Sequence, residues 1–294
     1  MKVLLIDFDS KIPNLALMKL SAQAKASGHT VGFDIQDPDI VYCSVVFSKN
    51  REQAAGLKTM FPNTEIIFGG PGWNLENTLP HSVEFMKPDY ELYPSEYSQG
   101  FTTRGCIRKC PFCIVPKKEG IITMWQHPRD FHDDRFKTCM IMDNNLFAAP
   151  EEWQKSVYSW FTDTGTKMKS PQGWDARLLT EERAGLLKDI KHDGNLHFAW
   201  DNMHDEQAVI KATHLLKDAG FNLKQNISFY VLVGFNTTFE QDVYRCNTLK
   251  EMGTNAFVMR YHNKSRKLNQ LAKWANRRWA YWSSPFPYNG EQKC

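Results

Sequence analysis

Residues 100–120 read GFTTRGCIRKCPFCIVPKKEG, which sets Cys106, Cys110 and Cys113 in the spacing Cys-x3-Cys-x2-Cys. Three thiolates this close in sequence can wrap one face of a metal centre but leave a corner of a four-ligand cage open. Soft sulfur ligands select zinc, copper(I) or iron–sulfur clusters over hard cations, and an iron–sulfur cluster ordinarily takes four cysteines. The missing ligand marks a place for a substrate or cofactor. Thr102, Thr103, Arg104 and Gly105 lead into the loop, and Phe112 brings an aromatic ring next to the third cysteine. The alternative for the same residues is a zinc knuckle completed by His127 or His132.

The 294 residues suffice for one large or two ordinary domains with a well-buried core. Hydrophobic residues at 42% and charged residues at 23% indicate a globular chain, and a net charge of +3 excludes no partner class. Cys43, Cys139, Cys246 and Cys294 lie outside the loop, giving seven cysteines without a framework spacing. That count argues for a reducing compartment. The opening apolar run is too short for a signal peptide, and no stretch approaches a membrane span of about 20 apolar residues. A cytoplasmic protein without a membrane partner is expected.

Upstream of the loop, apolar runs at Val3–Ile6, Thr30–Phe33, Ile40–Val46 and Glu65–Phe68 alternate with helical stretches. One helix is expected from Pro13 to about Ser27, with Leu15, Met18 and Ala22 on its buried face and Gly28 as its stop. Another is expected over Arg51–Met60. Short strands alternating with helices imply a parallel sheet covered by helices. Asp7 and Asp9 follow the first strand, as caps of the helix at Pro13 or as ligand-facing groups. Gly69–Gly72 reads as a tight turn, and the Pro- and Tyr-rich stretch 89–94 as a connector.

Downstream, strands are expected at Gly100–Thr103, Thr138–Met142, Gln172–Leu178, His197–Trp200, Ile227–Val233 and Ala256–Met259. Helices at Glu151–Thr162, Glu181–Asp193, Glu206–Ala219 and Glu240–Met252 fill the gaps, and Gly220 and Gly253 stop the last two. Six such units in about 165 residues are too few for a closed eight-stranded barrel of about 250. Polar residues recur at the strand ends: Asp143, Asn144 and Asn145, then Asp175 and Arg177, then Asp201, then Gly234. An arginine there can grip a carboxylate through a two-point fork, or pair with Asp175 or Asp201.

The segment from Gly100 to Cys113 resembles the signature of the radical S-adenosylmethionine (SAM) superfamily. The resemblance implies that Cys106, Cys110 and Cys113 hold a [4Fe–4S] cluster whose fourth iron is chelated by SAM. It further implies reductive cleavage of SAM to methionine and a 5′-deoxyadenosyl radical, fed by an electron donor such as flavodoxin or ferredoxin. The implied fold is α/β: a small N-terminal parallel-sheet domain (1–95) followed by a partial (β/α)6 barrel (96–262), with a basic, aromatic extension (263–294). The N-terminal domain resembles the cobalamin-binding type but lacks its Asp-x-His-x-x-Gly motif, so cobalamin is not expected.

By the same resemblance, Asp143, Asn144 and Asn145 stand where the SAM amino group is held, without the usual Gly-Gly-Glu. Asp175, Arg177 and Asp201 are candidates for the SAM ribose and carboxylate or for substrate, Gly234 for adenine packing, and Phe112 for covering the cluster. No residue is singled out as catalytic.

The C-terminal stretch interleaves Lys264, Arg266, Lys267, Lys273, Arg277 and Arg278 with Trp274, Trp279, Tyr281, Trp282, Phe286 and Tyr288. Such a pattern can meet phosphates and stack on bases, which makes a nucleic-acid base or nucleotide the leading substrate. A peptide or small metabolite is the alternative. The other expectation for this stretch is an amphipathic helix docking Leu268, Leu271, Trp274 and Ala275. Against the enzyme stand a zinc or iron–sulfur nucleic-acid-binding module and an electron-transfer protein.

Overall fold

The computed structural model describes residues 1–261 and 265–286. Lys264, Tyr288 and Cys294, and the boundary expected after residue 262, lie outside the described residues. The fold is mixed α/β with several small parallel sheets.

Strands β1 (Lys2–Asp7), β2 (Thr30–Gly32), β3 (Ile40–Ser44) and β4 (Glu65–Gly69) form one parallel sheet in the order β2-β1-β3-β4. The continuous apolar run of β1 is buried at Val3, Leu4 and Leu5, as a strand covered on both faces requires. The first helix runs Leu15–Ala26, and the Asn14 side chain caps it by accepting from the Leu17 amide. Asp7 and Asp9 therefore do not cap it. Asp7 accepts from the Ser10 amide and the Tyr93 hydroxyl, and Asp9 from the amides of Val46 and Phe47. The helix buries Leu17, Met18 and Ala24 rather than the expected Leu15 and Ala22. The helical stretch expected over Arg51–Met60 is broken at Gly56 into Arg51–Ala55 and Leu57–Met60.

Downstream lie β5 (Ser98–Gly100), β6 (Thr103–Arg104), β7 (Thr123–Met124), β8 (Thr138–Ile141), β9 (Lys167–Lys169), β10 (Leu196–Ala199), β11 (Ile227–Val233) and β12 (Asn255–Arg260). Two three-stranded parallel sheets result, β5-β8-β9 and β10-β11-β12. Parallel bridges between Met168 and His192 and between Trp174 and Phe198 connect them. Two of the expected strands differ. The strand entering the cysteine loop is Ser98–Gly100, because Thr103 and Arg104 turn away to pair antiparallel with Met124 and Thr123. No strand spans Gln172–Leu178: the sheet position is taken by Lys167–Lys169, and Ala176–Leu178 is a 3-10 turn capped by Asp175.

Helices Glu151–Thr164, Glu181–Asp189, Glu206–Asp218 and Phe239–Glu251 pack against these sheets around one large core. Helix Arg266–Ala275 sinks Leu268, Leu271, Trp274 and Ala275 into that same core, the docking expected from its spacing. Among the described residues no helix is long and apolar enough to cross a membrane.

The two halves meet at Glu84. Its carboxylate takes Lys19 Nζ at 3.3 Å from the first helix and Arg104 Nη1 at 2.7 Å from β6. Arg104 Nε also binds Glu119 Oε2 at 2.8 Å, clamping the far end of the cysteine loop. Lys19 is only 2% exposed, and its amine donates further to Gln126 Oε1 at 3.2 Å.

Candidate functional site

Parallel strands bring the segments at their carboxyl ends to one edge, where open α/β sheets place ligands. After β5 comes the cysteine loop. It is closed at its base by Gly105, whose φ of +83° no side chain adopts easily and whose added Cβ would lie 2.2 Å from the Ile121 carbonyl oxygen. The Cys106 amide donates to the Gly120 carbonyl at 3.2 Å, and the Cys113 amide to the Cys110 carbonyl at 3.0 Å. All three thiols are partly buried.

After β8 the three consecutive polar residues divide into separate tasks. Asp143 is buried and accepts from the Thr102 amide at 2.6 Å, the Thr102 hydroxyl and the Thr103 hydroxyl at 2.9 Å. Burial pushes its carboxyl up to about 6 despite those donors. Asn144 accepts from the Gly105 amide at 3.0 Å. Asn145 donates to the Cys106 sulfur at 3.4 Å and stands 3.4 Å from Asp175 Oδ2, and its own carbonyl oxygen is buried without a partner. The first two thus build the loop, and only Asn145 addresses a thiol.

Asp175 is gripped by two arginines, Arg177 Nε at 2.6 Å and Arg108 Nε at 2.9 Å. Burial alone would raise its carboxyl, but the two guanidiniums hold it below the usual range. Arg108 comes from within the cysteine loop and was not anticipated; no spacing in the sequence links positions 108 and 175. Arg177 reaches on to Asp205 at 3.3 Å, so it pairs with Asp175 and Asp205 and not with Asp201. Burial raises the Cys110 thiol, and Arg177 nearby opposes the rise.

After β10, burial pushes Asp201 up to about 6, and its Oδ1 has no hydrogen-bond partner. After β11, Gly234 adopts φ +76° and donates its amide to Asp242 Oδ2 at 3.1 Å. Asp242 in turn pairs with the fully buried Arg245 at 2.6 Å. Arg245 donates to the carbonyls of Trp200 at 2.5 Å and Leu232 at 2.7 Å, tying the ends of β10 and β11 together. This Asp-x-x-Arg pair reads in sequence as an ordinary i,i+3 surface pair. Phe112 packs edge-on against Phe235 at 5.4 Å, and Phe235 against Tyr261 at 4.7 Å, so the loop touches the ends of β11 and β12.

The structure thus gathers Cys106, Cys110, Asn145, Asp175, Arg177 and Asp201 along one edge, with Phe112 on its flank. Gly234 lies at the same edge but turns toward Leu268. Among the described residues no group of three or more His, Cys, Asp or Glu side chains is arranged to hold a metal ion. His127 caps the helix Pro128–Phe131 and binds Arg129 Nε at 2.9 Å, and His132 packs edge-on against Trp160 at 5.1 Å. Neither histidine completes a knuckle with the thiols.

The basic aromatic stretch sits elsewhere. Arg278 donates to the Lys224 carbonyl at 2.6 Å and Trp282 to Asn255 Oδ1 at 2.9 Å, which puts this segment at the amino ends of β11 and β12. Tyr281, Trp274 and Phe286 are buried there. These rings stand at the opposite edge from the cysteine loop.

No protein-family model matches the chain, and no curated protein matches it significantly.

Proposed function

We propose that this protein is a radical SAM enzyme whose two three-stranded parallel sheets are arcs of one partial (β/α)6 barrel. The observation that carries the proposal is the meeting of Cys106 with Asn145 and, through Arg108, with Asp175 and Arg177, at strand ends that succeed one another in chain order. The donor set supports a cluster over a single ion. Its three soft thiols share one loop with no histidine among them, and cluster ligands bind different irons instead of converging on one point.

Cys106, Cys110 and Cys113 would hold the [4Fe–4S] cluster, and, with SAM on the open iron, it would supply the electron that splits SAM into methionine and a 5′-deoxyadenosyl radical. The chain's own residues do the rest. Arg108 and Arg177 present guanidinium edges beside Asp175, suited to the carboxylate at the methionine end of SAM. Asn145 orients the Cys106 sulfur, while Asp143 and Asn144 fix the start of the loop. Asp201 is positioned to exchange a proton near neutral pH. Electrons come from an external carrier such as flavodoxin or ferredoxin, and cobalamin has no part.

The test is anaerobic cluster reconstitution, reduction with SAM present, and measurement of 5′-deoxyadenosine and of the cluster's EPR signal. Product formation and a SAM-dependent change in the signal, both lost in Cys110→Ala, support the proposal. Zinc without iron or sulfide after anaerobic purification overturns it in favour of a binding module. A reducible cluster indifferent to SAM overturns it in favour of electron transfer.

A further inference from the structure

Parallel sheets are covered on both faces in folded proteins, yet one face of β11 and β12 is not. Along β11, Phe229, Val231 and Val233 point into the core beneath the helices, which sends Tyr230 and Leu232 to the other side. Along β12, Ala256 and Val258 are buried, whereas Phe257 is 42% and Met259 39% exposed. Large apolar side chains standing in solvent on a parallel strand lack a partner that the folded chain does not provide among its described residues.

The surface is lined for flat rings. His197 and Tyr230 already stack, with centroids 4.7 Å apart and planes 8° from parallel. Tyr230 is paired in register with Phe257, their rings 5.7 Å apart. Toward the carboxyl ends of the strands the aromatic lining continues through Tyr261 and Phe235 to Phe112 in the cysteine loop. The charge at that end is positive: positions 104–119 carry Arg104, Arg108, Lys109, Lys117 and Lys118 against the single carboxylate of Glu119. Arg260 adds an exposed cation at the end of β12.

We propose that the open face of β11 and β12 binds the base of a nucleotide, free or within a strand, with its phosphate toward the cysteine loop. Aromatic side chains stack on any base, and cations on the same path neutralise phosphate. An aromatic peptide would use the rings but has no use for the excess cations. The assignment of this base as substrate rests on the cysteine loop being the reactive centre, whereas its binding does not.

Binding is therefore measured by equilibrium dialysis on protein with the cluster loaded and with it stripped. The probes are AMP, GMP, CMP and UMP, short single-stranded RNA and DNA oligonucleotides, and a tryptophan-containing acidic peptide. At least one nucleotide or oligonucleotide is expected to bind in both preparations and to weaken as salt rises. Phe257→Ala is expected to weaken it roughly tenfold. Phe257→Leu, which keeps apolar bulk but removes the flat ring, should lose most of that affinity too, while Trp279→Ala at the opposite edge leaves it unchanged. Tight mononucleotide binding identifies a free nucleotide, and binding only of oligonucleotides identifies a strand. Binding of the peptide alone, or nucleotide binding insensitive to Phe257→Ala, overturns the proposal. Base binding without SAM cleavage would leave this site standing and remove only the radical chemistry.

Discussion

The side-chain amide of Asn145 donates to the sulfur of Cys106 across 3.4 Å, joining the end of β8 to the first cysteine of the loop. The Arg108 amide donates to the same sulfur at 3.3 Å, so Cys106 carries two donors before any metal is considered. Partners that orient a ligand are worth roughly 10- to 100-fold in metal retention. Asn145→Leu is expected to lose iron faster by about that factor when a reconstituted sample is challenged with chelator. Asn144→Ala removes a loop hydrogen bond without touching a thiol and should have the smaller effect; equal losses would mean that Asn145 acts only through loop shape.

Asp201 gives the protein a pH dependence of definite sign. Its carboxyl is raised to about 6 by burial; Arg245 and Arg177 pull it down and Asp205 pushes it up. An acid raised in the folded state contributes stability that is complete below its unfolded value near 4 and lost as pH rises through 6. The span corresponds to at most about 3 kcal/mol. Urea midpoints should therefore fall between pH 4 and 6, and Asp201→Asn should flatten part of that fall. The remainder belongs to Asp143, which burial raises in the same direction. An unchanged profile in Asp201→Asn would show that its carboxylate is solvated.

Arg245 has the largest structural consequence of any single charge near the site. It is fully buried, holds the carbonyls of Trp200 and Leu232, and balances Asp242. Arg245→Met leaves a buried carboxylate without its countercharge, at a cost of roughly 3–5 kcal/mol. Chemical denaturation measures this directly, and a loss below about 1 kcal/mol would refute the clamp.

Gly234 tests backbone and packing separately. A Cβ at this position would sit 2.6 Å from Leu268 Cδ1, at a φ of +76°. Gly234→Ala should cost about 1–2 kcal/mol in backbone strain, plus whatever Leu268 cannot yield. In the double variant with Leu268→Ala the steric part disappears and the strain stays, so the two effects should be less than additive in a denaturation cycle.

Elements whose cause is local were legible in the sequence. The uninterrupted apolar run Ile227–Val233 is a strand over those residues, and Gly220 and Gly253, both at positive φ, close their helices. The strand Lys167–Lys169 was not legible, because three residues reading Lys-Met-Lys carry one buried side chain between two charged ones. Trp174 instead drew attention to its neighbourhood, where it makes a single bridge to Phe198. At the site, the sequence shows that Asp143, Asn144 and Asn145 come after a strand. It cannot show that one holds Thr102, one Gly105 and one Cys106. Arg108 and Arg245 were missed because their partners lie 67 residues away or are main-chain carbonyls.

Glu84 sets the boundary of what can come apart. Lys19 reaches it from the helix beside β1 and Arg104 from the hairpin that opens the cysteine loop, and both contacts are shielded from water. Separating the N-terminal sheet from the loop would strand an ammonium and a guanidinium in poorly hydrated surroundings. The two therefore melt in a single transition, and a chain begun at residue 96 would lose the anchor of its cysteine loop along with the sheet. The stiffness of the thiol-bearing segment is thus inherited from residues long before it in the chain.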